Sequence, residues 1–270
     1  SFFDKNFSNR LLKNDIKPKI ITAFNVFAHS DKMIDFIQSI KKILKKDGIF
    51  IFEVQYLKDI IDKKIIGTFF HEHMNHYSVI ALDNFFKKND LFLFDVERVK
   101  IQKGSIIGYV CHKNFVKHKT RRMTNLVQIE KKVQLNKIYT IQKLKKIVES
   151  NRVKTLKIIN KSYKKKIICG YGAARSGALL AINYGIEKEI RYLFDDHKMK
   201  INKFSQINSS KVISTNKIQK LKPDLCIILA YLHNKSIIKK NIKSIVRGVD
   251  FMVLYPEPKI VNIRNYKQYL

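Results

Sequence analysis

The chain has 270 residues, 45% of them hydrophobic, with 54 Lys and Arg against 22 Asp and Glu, a formal charge of +32. That is enough for about two globular domains with an ample apolar core. The longest apolar runs, such as Leu225 to Ala230, fall far short of the roughly 20 residues a membrane crossing needs, so no membrane partner is expected.

The three cysteines, Cys111, Cys169 and Cys226, lie far apart beside apolar runs, which argues against a disulfide framework or a Cys-rich metal site and for a reducing, cytoplasmic setting. The start, Ser1-Phe2-Phe3-Asp4, has no signal-peptide pattern and no Met, so the chain is expected to be a portion of a longer protein. Only nine of the basic residues are Arg, and Lys is spread with Ile and Asn along the whole chain. The charge therefore reads as compositional bias carried on solvated faces, with no specific nucleic-acid partner, although it still attracts anions such as nucleotide diphosphates.

In chain order, Lys19 to Phe24 reads as a short buried strand and Asn25 to His29 as the loop leaving its carboxyl end. Ser30 or Asp31 is placed to cap a helix in which Met33, Phe36, Ile37, Ile40, Ile43 and Leu44 recur at helical spacing, and Asp47-Gly48 stops it. Gly48 to Val54 is a second apolar strand, completing a βαβ unit suited to a parallel sheet. Ligands of such sheets bind beyond the carboxyl ends of the strands, where Asn25 to His29 and Glu53 to Tyr56 both fall. Ser78 can cap a short helix with Leu82, Phe85 and Phe86 on its apolar face. Leu91 to Val99 and Ile106 to Cys111 follow as an antiparallel pair. From Lys117 to Ser162 there is neither Gly nor Pro, and the apolar spacing predicts one or two long helices acting as a connector, with Arg121-Arg122 on a solvated face.

A second α/β unit begins at Lys166, with Ile167 to Cys169 as a strand, Gly170 to Gly177 as a glycine-bearing turn and Ala178 to Tyr184 as a helix. These glycines either leave room for a ligand at the helix N-terminus or only allow the turn. Their spacing, G-x-G-x-x-x-x-G, is not the dinucleotide fingerprint. Asp195 follows the next strand, where a Rossmann unit places an acid for a ribose hydroxyl. Strands at Pro223 to Ala230 and Asp250 to Leu254 flank a helix at Asn234 to Ile245.

The densest chemistry lies in Phe70-His71-Glu72-His73-Met74-Asn75-His76-Tyr77. Zinc binding of the H-E-x-x-H kind is disfavoured, because His76 comes one residue late, about 100° off the shared helical face. A packing role and acid-base chemistry stay open, and the second is favoured by a carboxylate beside imidazoles that titrate near neutral pH. His29 and His73 are expected to converge at one sheet edge.

Asn25 to His29, Asp47 to Leu57, His71-Glu72-His73, Gly170 to Gly177 and Phe194 to His197 together resemble the S-adenosylmethionine-dependent C-methyltransferases, whose best-understood members act on nucleotide-linked 4-keto-deoxysugars. The resemblance implies an α/β fold. A truncated class I methyltransferase (Rossmann-like) sheet at 1–116 is followed by a helical connector at 117–165. A Rossmann-like domain for the nucleotide-sugar then occupies 166–270. It implies S-adenosyl-L-methionine as cofactor, although the family's glycine-rich cofactor loop is absent from this sequence, as is its N-terminal zinc domain. By the same resemblance His73 is the catalytic base, with Glu72 and His29 beside it, and Ala23 and Asn25 adjoin the cofactor. Tyr56, Gly170, Tyr171, Gly172, Arg175, Ser176 and Asp195 hold the substrate, and no metal is implied in this part. Phe70 stands where the family usually has Tyr. The alternative reading is a non-catalytic nucleotide-sugar-binding protein. A nicotinamide-dependent oxidoreductase is disfavoured by the glycine spacing.

Overall fold

The computed structural model describes residues 3–69 and 73–270. The chain divides into two compact units, one made of Ser1–Lys63 and His71–Gln142, the other of Lys64–Phe70 and Lys143–Leu270.

In the first unit, α1 (Lys5–Lys13) is capped by Asp4, whose side chain accepts from the Phe7 N–H at 2.7 Å. Then come β1 (Ile20–Phe24), α2 (Met33–Ile43), β2 (Ile49–Gln55), α3 (Leu57–Asp62) and α4 (Val79–Lys88). β3 (Leu91–Val99), β4 (Ser105–His112) and α5 (Arg121–Lys132) follow, and α6 (Ile138–Ser162) starts here and continues in the second unit. The segment expected as a connector is thus divided, since α5 buries Met123 and Leu126 in the core of the first unit.

The sheet order is β1-β2-β4-β3, with β1 parallel to β2 and β4 antiparallel to both its neighbours. The expected βαβ unit is present, but β1 is not the buried strand anticipated. It is the edge of the sheet, with Ile20 63% and Phe24 50% exposed, Ala23 buried and Ile21 half-buried against the core. Neither Ser30 nor Asp31 caps α2, because the chain enters it through Lys32 with no side-chain cap. What holds α2 is its apolar face of Phe36, Ile37, Ile40 and Ile43. The core centres on Phe27, Phe50, Phe52 and Phe86, all fully buried, with Tyr77 stacked on Phe27 at 5.4 Å between ring centroids. Burial of each such ring contributes about 2–3 kcal/mol.

The second unit contains β5 (Ile168–Tyr171), α7 (Arg175–Tyr184), β6 (Tyr192–Asp195), β7 (Lys211–Ser214), α8 (Ile218–Leu221) and β8 (Leu225–Ile228). It ends with α9 (Asn234–Lys240), α10 (Ile242–Val246), β9 (Asp250–Val253) and β10 (Lys259–Val261). Its sheet runs β10-β9-β8-β5-β6-β7, parallel except for β10. The strand order reverses between β5 and β8, the place where sheets of this kind bind ligands beyond the carboxyl ends of their strands. The expected glycine turn is shorter than anticipated, since Gly170 and Tyr171 lie in β5 and Arg175 to Gly177 already belong to α7. Among the described residues no helix is long and apolar enough to cross a membrane.

Candidate active site

The site of the first unit forms where β1 and β2 end. Asn25 turns the chain with φ of 54° and is held by the Gln102 amide, which donates to its Oδ1 at 2.7 Å. The following 3-10 turn, Phe27–His29, drives the Phe27 ring into the core and leaves His29 exposed at the surface.

The segment carrying His73 and His76 is pinned alongside. The Tyr77 hydroxyl donates to the Phe27 carbonyl at 3.2 Å, and the Leu57 N–H donates to the Tyr77 carbonyl at 2.8 Å. Ser78 caps α4 as expected, accepting from the Ala81 N–H at 3.1 Å. Glu130 of α5 accepts from the Val79 and Ile80 N–H groups at 2.6 and 2.9 Å, and burial pushes its carboxyl up despite those donors.

This bracing brings the His29 and His73 rings to 4.9 Å between centroids, with His76 at 6.3 Å from His73. The expected convergence of His29 and His73 is therefore present. Burial, with His73 as a second cause, pushes His76 down to about 4, which keeps it neutral.

A residue the sequence reading did not single out completes the cluster. Glu53, near the end of β2, is 3% exposed, and its Oε1 has no hydrogen-bond partner among the described residues. It lines a cavity of about 10 Å³ together with His29, His73, His76 and Asn25. Its signal was a carboxylate within the apolar run Ile49 to Val54, where an acid is rarely buried without a task. Asn25 and His29 also face a cleft of about 840 Å³ whose walls include Phe3, Val26, Asp31 and Phe36. That volume is in the range of small-molecule sites.

Other anticipated site residues lie elsewhere. Ala23 is buried in the core face of β1. Tyr56 is wholly buried with the Arg98 guanidinium over its ring, so its side chain does not reach a ligand, and burial followed by the nearby Glu130 charge pushes its phenol up. Phe70, His71 and Glu72 lie outside the described residues. Among the described residues no group of three or more His, Cys, Asp or Glu is arranged to hold a metal ion.

In the second unit, Gly172 has φ of 99°, and a Cβ there would sit 2.6 Å from that of Ala230, so the turn requires glycine. Gly170 is packed under Leu193 and Leu229, and Tyr171 is buried in the core against Phe251, so both serve packing and neither offers a ligand contact through its side chain. Asp195 was anticipated as a ribose ligand. Its carboxylate instead accepts from the Ala173 and His197 N–H groups, each at 2.8 Å, with Lys200 at 3.4 Å. A negative group thus already occupies the N–H donor that a dinucleotide phosphate would use at this turn. Ser176 is half-buried in the first turn of α7, which Arg175 opens. Beside that turn is a cavity of about 230 Å³ lined by Ala173, Ala174, Lys200, Lys203 and Phe204.

A mixed four-stranded sheet with paired imidazoles at its strand ends and a six-stranded, mostly parallel, doubly wound sheet give the chain its α/β build. Residues 100–256 match the family described as the C-methyltransferase C-terminal domain, and the chain belongs to that family. A curated relative, C-methyltransferase NovU of Streptomyces niveus, is 24% identical over 247 residues, covering 90% of this chain and 59% of NovU. The chain thus spans about 59% of the length of that relative.

Two solved structures also match in part. The structure of M1.HpyAVI has a TM-score of 0.27 at 14% identity, over 43% of this chain and 57% of that one. The O-methyltransferase NcsB1 from neocarzinostatin biosynthesis, in complex with S-adenosylmethionine and 2-hydroxy-5-methyl naphthoic acid, has a TM-score of 0.28 at 10% identity, over 38% of this chain and 37% of that one.

Proposed function

We propose that these residues belong to an S-adenosylmethionine-dependent C-methyltransferase that methylates a carbon beside the ketone of a nucleotide-linked keto-deoxysugar. The observation that carries this reading is the approach of His29 to His73, with His29 also lining a cleft of substrate size. A proton next to a ketone is too weakly acidic to leave unaided. His73 accepts it, His29 shares the resulting positive charge, and Asn25 and neighbouring polar groups face the enolate oxygen. S-adenosylmethionine supplies the electrophilic methyl group that the enolate carbon takes. The open cleft beside Asn25 supports its placement there, and Glu72 stands next to the base in sequence.

For the second unit, the lysines and Phe204 near the start of α7 suit an anionic, aromatic nucleotide, with Gly172, Arg175 and Ser176 at the turn. The spent carboxylate of Asp195 counts against a nicotinamide dinucleotide. The test is methyl transfer from labelled S-adenosylmethionine by the natural full-length gene product, with His73→Ala as the comparison. Loss of transfer by at least a hundredfold is expected, and undiminished transfer would remove His73 as the base.

A further inference from the structure

Glu53 has no part in the mechanism so far, yet its position is costly. A carboxyl group 3% exposed, with one oxygen lacking a hydrogen-bond partner among the described residues, loses much of the hydration it would have in water. Such an acid is retained where a positive charge appears beside it. Among the described residues, the polar groups lining its cavity include the imidazoles of His29, His73 and His76, with Asn25, Gln55, Asn75 and Gln102. Among the described residues no lysine or arginine lines it. The cavity, about 10 Å³, is only about large enough for one water, and Glu53 lines it together with the rings.

His76 is held neutral by burial, while the rings of His29 and His73 approach to 4.9 Å between centroids. We propose that Glu53 is the positioning residue of this site, the buried counter-charge that lets the His29–His73 pair accept and hold a proton from the substrate carbon. No bond other than the C–H is broken in this step. The proton passes from carbon to an imidazole, the electron pair stays as the enolate, and the new imidazolium is neutralised by the Glu53 carboxylate. Glu53 touches neither substrate nor cofactor, and the inference rests on the reading of His73 as the base.

The test is a pH titration of the full-length gene product labelled with 13C at histidine Cε1. The His29 and His73 signals are assigned by His29→Asn and His73→Asn. Removing an opposite charge at this range shifts a midpoint by about one unit or more. Glu53→Gln is therefore expected to lower the protonation midpoint of the pair by about one unit, while Glu53→Asp lowers it by less. An unmoved midpoint overturns the proposal. Should Glu53→Gln not fold, the reciprocal measurement decides. The Glu53 side-chain carboxyl signal of the otherwise native protein must move to higher pH when His73→Asn removes its partner, and a fixed signal overturns the proposal. Neither readout uses methyl transfer, so a failure here is distinguishable from a failure of His73→Ala in the activity assay.

Discussion

The rings of His29 and His73 meet at 4.9 Å between centroids and 59° between planes, although one leaves β1 and the other precedes α4. Groups this close in one site act as a unit, so their removal is non-additive. His29→Ala and His73→Ala should each lower kcat for methyl transfer in the full-length protein by roughly 10²-fold or more. The double variant should be no worse than the weaker single by more than a few-fold. Multiplicative losses would show that the two rings act independently.

Acid should loosen the His-bearing segment before it attacks the rest. The folded His76 has its pKa depressed to about 4 against an ordinary 6.5. Between those values the unfolded chain binds a proton that the folded chain refuses. The contribution is therefore fully present above pH 6.5 and lost as pH falls toward 4. Its size is on the order of 2 kcal/mol. Urea denaturation at pH 7 and at pH 5 should show a clear loss of stability in the native protein and a shallower loss in His76→Gln.

Arg98 grips Asp59 with Nε at 2.8 Å and Nη2 at 2.7 Å, and Lys63 adds a contact at 2.6 Å. The Asp59 side chain is wholly buried while that of Arg98 is 40% exposed. Burial raises the Asp59 carboxyl, but these two donors more than offset it and hold it below its usual range. Arg98→Ala leaves a buried charge with Lys63 alone and should cost about 2 kcal/mol, less than a fully enclosed pair because the guanidinium is partly solvated. The same denaturation assay measures it, and a loss under 0.5 kcal/mol would mean that Lys63 suffices, a threshold of about the size of ordinary surface effects.

Asp195→Ala frees the Ala173 and His197 N–H groups that its carboxylate now binds. The direct cost should be about 2 kcal/mol. With the carboxylate gone, the turn before α7 becomes an anion site, so millimolar phosphate should raise the Tm of the variant by several degrees relative to the native protein. An equal response in both would show that Asp195 does not compete for that position.

Much of this arrangement is written locally. The spacing of Phe36, Ile37, Ile40 and Ile43 announces α2, Ser78 announces the start of α4, and the rule that ligands gather at strand ends brings His29 to His73. What escaped depends on distant partners. Whether Lys19 to Phe24 is central or marginal is decided by its neighbours, and it proved to be an edge. Tyr56 and Tyr171 carry hydroxyls that suggest ligands, but where each side chain points is fixed by strand register, and both point into the cores. β7 and β10, four and three residues long, are too short to show alternation. Glu53 was visible as an acid in an apolar run, but its three imidazole neighbours come from two separate loops.

Glu130 adds a temporal consequence. Its two oxygens fasten the start of α4 from 50 and 51 positions further along the chain. During synthesis, the loop bearing His73 and His76 therefore emerges well before the carboxylate that secures it. Closing so long a span is slow compared with winding a helix. The imidazoles should be among the last parts of the first unit to settle, and a nascent chain halted short of α5 would present them unfastened.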